Sequence, residues 1–331
     1  MSHNLSITET AAWLKARDNF LIITHRRPDG DTIGCAGALT FGLREAGKTA
    51  YILPNPEITP RYERFIVGCL APDGYCPEYV IVVDTASYDL IPKSAKEHTN
   101  KISLGIDHHS SNSLFAENTC LDDTRAACGE VIYEILIELS GKISEKSAEA
   151  LYVALSTDTG CFAYTNTTPN TLRVAAQLIE AGAPNKELNK LLFRTKTHNR
   201  VKMEGTINSN LEFHFGGSVA LAFITRSMIE TIGAKEDDMD DIASLPGTVE
   251  GVRAGITIRE LTSPTDCKVS VRTTPLINAH KICKHFGGGG HAMAAGYSRN
   301  KPIAEIKEEL LEVLKDFIPQ AESTLVTSSS P

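Results

Sequence analysis

Three short apolar runs in the chain each end in side chains able to bind metal or carry protons. Residues 20–24 lead into His25 and the segment RRPDGD, with Asp29 and Asp31. Residues 79–83 lead into Asp84, and residues 102–106 into Asp107, His108 and His109. A fourth carboxylate, Asp158 in STDTG, falls where a helix should meet a loop. If the runs are parallel strands of one sheet, these residues meet at its carboxyl edge, where open α/β sheets place their ligands. Gathering Asp29, Asp31, Asp84 and Asp158 is costly, because like charges about 4 Å apart repel by roughly 4 kcal/mol at an effective dielectric near 20. The four would take up protons or hold cations. Their formal charge balances two dications, with His25 and His108 adding neutral nitrogen. Carboxylate and imidazole without thiolate favour Mn²⁺, with Mg²⁺ as the alternative, over a structural Zn²⁺. Two such ions about 3.5 to 4 Å apart clamp an in-line phosphoryl displacement, stabilising both attacking and leaving oxygens. Asp84, central in the inferred strand order, is the bridging candidate. His109, outside the coordination set, is the candidate to protonate the leaving alkoxide.

The elements that must position these groups alternate. Helix-like stretches at 32–46, 129–139, 145–156 and 169–181 separate or follow the apolar runs, the last ending at Gly182 with Pro184 just beyond. This predicts an α/β fold, a parallel sheet with helices on both faces. From 186 to 205 the chain turns polar and basic, which places a linker between a catalytic domain at 1–185 and a second domain at 206–320. Strands at 218–224, 252–260 and 268–273 and helices near 278–285 and 303–317 make the second domain smaller and mixed α/β. Residues 321–331 read as a polar tail.

Bulk properties exclude several classes. With 331 residues, 42% hydrophobic and 22% charged, the chain has an ordinary globular balance, and no apolar run is long enough to span a bilayer. The N-terminal segment lacks the basic start and apolar stretch of a signal peptide. A soluble cytoplasmic protein without membrane association is expected. Eight cysteines without a C-x-x-C suggest neither a thiolate zinc site nor a disulfide framework. A net charge of −8 argues against tight binding of long duplex nucleic acid, while a small anionic substrate held by local cations stays compatible. The basic segment (Lys186, Lys190, Arg194, Arg200, Lys202) reads as a solvated helix face, and the acidic run (Glu236, Asp237, Asp238, Asp240, Asp241) as a solvated turn with helix-start charges. Arg125 and Asn112, near the D-H-H run, read as structural.

Taken together, H-x-x-P-D-x-D (His25 to Asp31), Asp84, D-H-H (Asp107 to His109) and Asp158 resemble the four motifs of the DHH phosphoesterase superfamily. KVSVR followed by FGGGGHAMAAG resembles the DHH-associated domain, which in that family binds the nucleotide part of the substrate. The likeness spans nearly the whole chain and is strongest to the bacterial nanoRNase and pAp phosphatase group. It implies hydrolysis of short oligoribonucleotides, of 3′-phosphoadenosine-5′-phosphate, or of both. Carried over by motif, His25, Asp29 and Asp84 hold one metal and Asp31, Asp84, His108 and Asp158 the other, with Asp107 orienting the histidines. In the second domain, Gly288, Gly289 and Gly290 permit close backbone approach, so that their amides can face a phosphate and His291 the substrate. Arg272 offers a planar fork for phosphate and Ser270 shares its strand face. Thr273 and Thr274 depart from the expected serine and basic residue. Rival readings are a cyclic or linear dinucleotide phosphodiesterase, a RecJ-type single-strand DNA exonuclease, a family II pyrophosphatase and a non-catalytic nucleotide sensor. A homodimer is left open.

Overall fold

The computed structural model describes residues 3–239 and 241–318. The expected tail at 321–331 lies outside them. Contacts divide the chain into two compact units between Thr195 and Lys196.

The first unit contains β1 (His3–Asn4), α1 (Ile7–Lys15), β2 (Phe20–Ile23), α2 (Gly30–Glu45), β3 (Ala50–Ile52), α3 (Pro60–Glu63), β4 (Tyr79–Val83), β5 (Ile102–Asp107) and β6 (Asn118–Leu121). Four helices complete it: α4 (Cys128–Ser140), α5 (Glu145–Asp158), α6 (Pro169–Glu180) and α7 (Asn185–Asn189). Its strands form a six-stranded sheet in the order β1-β6-β5-β4-β2-β3, with every pairing parallel. β4 therefore lies between β2 and β5, so the loops following these three strands emerge side by side. Alternation along the strands sends Ile22, Ile81 and Leu104 into a core shared with α2, α4 and α5. Ile23, Val80 and Val82 face the other way, onto a smaller layer around Ala95 and Ala116.

Helices α2 and α5 pack unusually closely because α2 presents glycine to its partner. A Cβ at Gly34 would lie 2.4 Å from the Ala150 carbonyl oxygen, and one at Gly30 would lie 2.3 Å from Thr157 Oγ1. The contact sets the first turn of α2, with Asp31, against the last turn of α5, with Asp158.

The second unit holds α8 (His198–Ser209), β7 (Glu212–His214), β8 (Val219–Ile224), α9 (Arg226–Ile232), β9 (Ala254–Glu260), β10 (Asp266–Thr273), α10 (Ala279–His285), β11 (Gly289–Gly290), β12 (Ala294–Asn300) and α11 (Ile303–Leu314). Its sheet order is β11-β12-β10-β9-β8-β7, antiparallel except for the β8/β9 pair. Val269 and Val271 of β10 point into a core with α10 and α11, which leaves Ser270 and Arg272 on the opposite face.

The structure adds detail to one sequence expectation and corrects another. The boundary between the units falls inside the span 186–205, which is largely helical: α7, a π-helical turn at Lys190–Arg194 and the start of α8 occupy nearly all of it. Leu188 and Leu192, four apart, are buried in the first unit's core, and Met203 and Ile207 are buried in a cluster of the second. In the acidic run, Asp238 is only 5% exposed; it accepts from the Lys235 amide at 2.8 Å and from the Thr197 hydroxyl. Asp240 lies outside the described residues.

Candidate metal centre

Strand ends and two helix termini build the site. His25 follows β2, Asp84 follows β4, and Asp107 closes β5 with His108 and His109 directly after it. Asp29 is the N-cap of α2, accepting from the amides of Asp31 and Thr32. Asp158 is the last residue of α5. The structure brings His25, Asp29 and Asp84 into one group and Asp31, His108 and Asp158 into another, with ligand atoms in each within 4.8 Å of one another.

The imidazoles of these two groups, His25 and His108, are pinned from behind. His25 Nδ1 lies 2.8 Å from the Arg26 carbonyl, and Nε2 stands 3.6 Å from Asp29 and 3.7 Å from Asp84. His108 Nδ1 lies 3.1 Å from the Arg125 carbonyl. Its Nε2 stands 3.7 Å from Asp31, 3.6 Å from Asp84 and 3.6 Å from Asp158. A carbonyl accepts only from N–H, so in each neutral ring the proton belongs on Nδ1 and the Nε2 lone pair faces the carboxylates. This is the arrangement of a metal-binding histidine oriented by its second nitrogen.

His109 differs. Its Nδ1 is 2.8 Å from Asp107 Oδ1, and Asp107 Oδ2 is held at 2.5 Å by the Asn112 side chain. Asp107 thus orients His109 and accepts the His108 backbone amide, but the His108 ring is oriented by Arg125. His109 also falls in a metal-like triad with Asp84 and His108; because its inward nitrogen is already committed to Asp107, its other nitrogen remains the chemically available one.

Electrostatics fit a site built for cations. Asp31 and Asp84 are 1% and 3% exposed. Burial, and then the neighbouring carboxylates, push both well above the usual carboxylate range. Burial alone would lower His25, yet Asp29 and Asp84 outweigh it and push the imidazole up to about 11. Asp84 Oδ1 and His108 Nε2 are buried without any hydrogen-bond partner. Two orphaned ligand atoms inside a cluster of like charges are the pattern expected where a cation completes the coordination.

Several contributors carried no motif in the sequence. The amides of Cys128 and Gly129, at the start of α4, donate to Asp31 at 2.7 and 3.0 Å, and the Cys35 thiol to the same carboxylate at 3.2 Å. Backbone carbonyls and amides leave no residue-type signature. Asn112, read as structural, was the one visible in principle, three positions after D-H-H.

In the second unit, Ser270 pairs across β12 with Gly296, and Gly296 pairs with Gly289. Ser270 and Gly289 therefore flank a strand position without a side chain. Arg272 reaches only the Val271 carbonyl, at 3.3 Å, and has no carboxylate partner among the described residues. The glycine run serves a different role from the one expected in part. The amides of Gly287 and Gly288 are donated to the Lys284 and Cys283 carbonyls, closing α10. A Cβ at Gly288 would strike the Gly296 carbonyl oxygen at 2.3 Å. Gly288 is thus fixed by packing, while Gly289 and Gly290 form the short edge strand and His291 is exposed on the turn beyond it.

The N-terminal domain of the DHH family matches residues 19–155, and the DHHA1 domain matches residues 216–320. The chain is 31% identical over 311 residues to the bifunctional oligoribonuclease and PAP phosphatase NrnA of Thermus thermophilus, a match covering 91% of this chain and 90% of that protein. The chain belongs to the DHH family. This DHH protein is accordingly a hydrolase acting on phosphoester bonds. It is also 29% identical to the protein of the same description from Bacillus subtilis, over 88% of this chain and 92% of the relative. Its fold is shared with an exopolyphosphatase-related protein from Bacteroides fragilis, with a TM-score of 0.85, 20% identity and coverage of 94% and 95% of the two chains. It resembles more distantly the exonuclease RecJ bound to manganese, with a TM-score of 0.51, 13% identity and 95% coverage of each chain. Among the described residues, no helix is long and apolar enough to cross a membrane.

Proposed function

We propose that this DHH protein is a cytoplasmic enzyme that hydrolyses short oligoribonucleotides to mononucleotides and 3′-phosphoadenosine-5′-phosphate to AMP, using two Mn²⁺ ions. The supporting observation is the pair of back-pinned histidines whose Nε2 atoms face a group of carboxylates that includes the buried Asp31 and Asp84, with Asp84 Oδ1 and His108 Nε2 left without a hydrogen-bond partner. The likeness to the two NrnA proteins supports the choice of substrate.

In this reading His25, Asp29 and Asp84 hold one ion, and Asp31, Asp84, His108 and Asp158 hold the other. When bound, the ions supply charge neutralisation at the phosphoryl group and activation of water. The remaining chemistry belongs to the chain. Asp107, fixed by Asn112, holds His109 through Nδ1, leaving Nε2–H to pass its proton to the leaving oxygen. Burial lowers the His109 pKa, but Asp107 and Asp84 raise it further than burial lowers it. In the metal-free protein that shift favours the protonated form. On the second unit, Arg272 and Ser270, with Gly289, Gly290 and His291 around the adjoining turn that Gly288 packs in place, grip the nucleotide. Arg272 is the principal phosphate contact because it lacks a carboxylate partner among the described residues.

The test is a turnover panel with Mn²⁺: five-nucleotide RNA, 3′-phosphoadenosine-5′-phosphate, cyclic dinucleotide, long single-stranded DNA and pyrophosphate. Preferred turnover of the first two is expected, with Asp84→Ala losing it. Undiminished activity in that variant, or preference for pyrophosphate or long DNA, would overturn the reading.

A further inference from the structure

We infer that the first unit carries its own nucleotide subsite beside the metal centre, in which Arg26 and Arg27 take a backbone phosphate and Tyr88 stacks a base. The inference deepens the phosphoesterase reading and rests on it. It specifies a substrate with at least one nucleotide beyond the bond being cleaved.

Charge balance comes first. Four site carboxylates cancel two dications, so every phosphate of the substrate beyond the reacting one must find cations elsewhere, in a chain with net charge −8. Several arginines are committed elsewhere: Arg64, Arg125, Arg200, Arg226, Arg259 and Arg299 all pair with glutamate or aspartate. Arg26 and Arg27 are exposed, and neither guanidinium has a partner among the described residues.

Their backbone is fixed on the metal site. The Arg26 carbonyl holds the His25 ring at 2.8 Å, and the Arg26 amide donates to the Leu90 carbonyl at 2.7 Å. Arg27 has φ +50°, a left-handed conformation that a side-chain-bearing residue adopts only at a cost. The bond to Leu90 ties the two arginines to the turn Tyr88–Leu90. That turn is itself anchored to the D-H-H loop, since Asn112 donates to the Thr85 carbonyl at 3.3 Å and the Ser113 amide to the Ala86 carbonyl at 2.8 Å.

Tyr88 completes the set. It is 49% exposed and is steadied by a T-shaped contact with Phe115, ring centres 6.2 Å apart. An exposed aromatic beside unpaired guanidinium groups is the recurring means of holding single-stranded nucleic acid, with the base on the ring and the backbone on the cations. Asp89, exposed on the same turn, is the acidic group that opposes it.

The test compares KM for five-nucleotide RNA with KM for 3′-phosphoadenosine-5′-phosphate, which has no further nucleotide to place. Arg26→Ala/Arg27→Ala and Tyr88→Leu are each expected to raise KM for the RNA by about tenfold, the scale of one lost base stack, and to raise it several-fold less for the mononucleotide. Tyr88→Phe keeps the ring and should match the wild type, while Asp89→Asn should lower KM for the RNA. Equal effects on the two substrates, or a Tyr88→Phe variant as impaired as Tyr88→Leu, would overturn the subsite. A wild type that turns over neither substrate would defeat the phosphoesterase reading. The subsite is then read separately, by fluorescence anisotropy of labelled five-nucleotide RNA in EDTA. Weaker binding by the variants supports it, and equal binding, or no binding by the wild type, rejects it.

Discussion

The backbone amide of Cys128 donates a 2.7 Å hydrogen bond to Oδ2 of Asp31, 97 positions away in the chain. With the Gly129 amide on Oδ1, Asp31 caps the N-terminus of α4, a helix whose own N-cap, Ala127, provides no side-chain bond. A helix N-terminus favours an anion, so α4 offsets part of the cost of burying this carboxylate and fixes which oxygen faces His108.

Gly129→Ala tests that coupling. The added Cβ would lie 2.7 Å from both Ala154 Cβ and Leu155 Cδ1, pushing the start of α4 away from α5. A stability loss of about 1 to 3 kcal/mol is expected from such overpacking, together with weaker Mn²⁺ affinity. Denaturant unfolding and calorimetric titration measure the two. Loss of stability with unchanged metal affinity would separate the cap from the site.

The metal-free protein should lose stability as pH rises. Asp31, Asp84 and His25 all bind protons more tightly folded than unfolded. Their contribution is complete below the ordinary values of 3.8 and 6.5 and is lost as pH climbs through the folded ones, reaching about 11 for His25. Asp107, held low by His109 and Asn112 against burial, acts in the opposite sense only below 3.8. In EDTA, unfolding free energy is therefore expected to fall from about pH 5 to about pH 9. Saturating Mn²⁺ should flatten that slope and release protons on binding, seen as buffer-dependent binding enthalpy. A flat curve in EDTA would contradict the charge cluster.

Asn112→Ala should act on the proton rather than the metal. Without the 2.5 Å bond to Asp107 Oδ2, the Asp107–His109 pair loosens. A fall in kcat of roughly tenfold, less than the roughly 10²–10⁴-fold that a general acid contributes because His109 itself stays in place, is expected with an altered acid-base limb of the pH profile and normal Mn²⁺ binding. A pure KM effect would instead assign Asn112 to substrate.

Asp238 gives a pH prediction for the second unit. Burial would raise its pKa, but the Lys235 amide, the Thr197 hydroxyl and nearby cations outweigh it and hold the pKa below 3.8. Its contribution is present above that value and disappears as pH falls through the folded pKa. Asp238→Asn should cost about 1 to 2 kcal/mol at neutral pH, and the gap between variant and wild type should narrow as pH falls below 3.8. A constant gap down to pH 2 would mean that charge is not the cause.

The elements flanking the site were legible because periodicity and position coincide there. The runs at 20–24, 79–83 and 102–106 are β2, β4 and β5, and the helices at 129–139 and 169–181 are α4 and α6 to within a residue or two. Short or weakly patterned strands were not legible: β3 and β6 span three and four residues, and β12 reads AAGYSRN, where small residues hide the alternation. Within the site, the convergence of carboxylates and imidazoles followed from residue types at strand ends. What fixes them did not, because the Arg26 and Arg125 carbonyls and the Cys128 and Gly129 amides belong to the main chain.

Asp84 adopts φ +51°, left-handed backbone in a residue that also buries a negative charge. Both features subtract from folding free energy, and glycine at this position would relieve both at once. Selection for heat resistance alone would therefore drift toward a hardier protein stripped of its reactivity. Any engineering of this scaffold must score turnover alongside melting temperature from the first round.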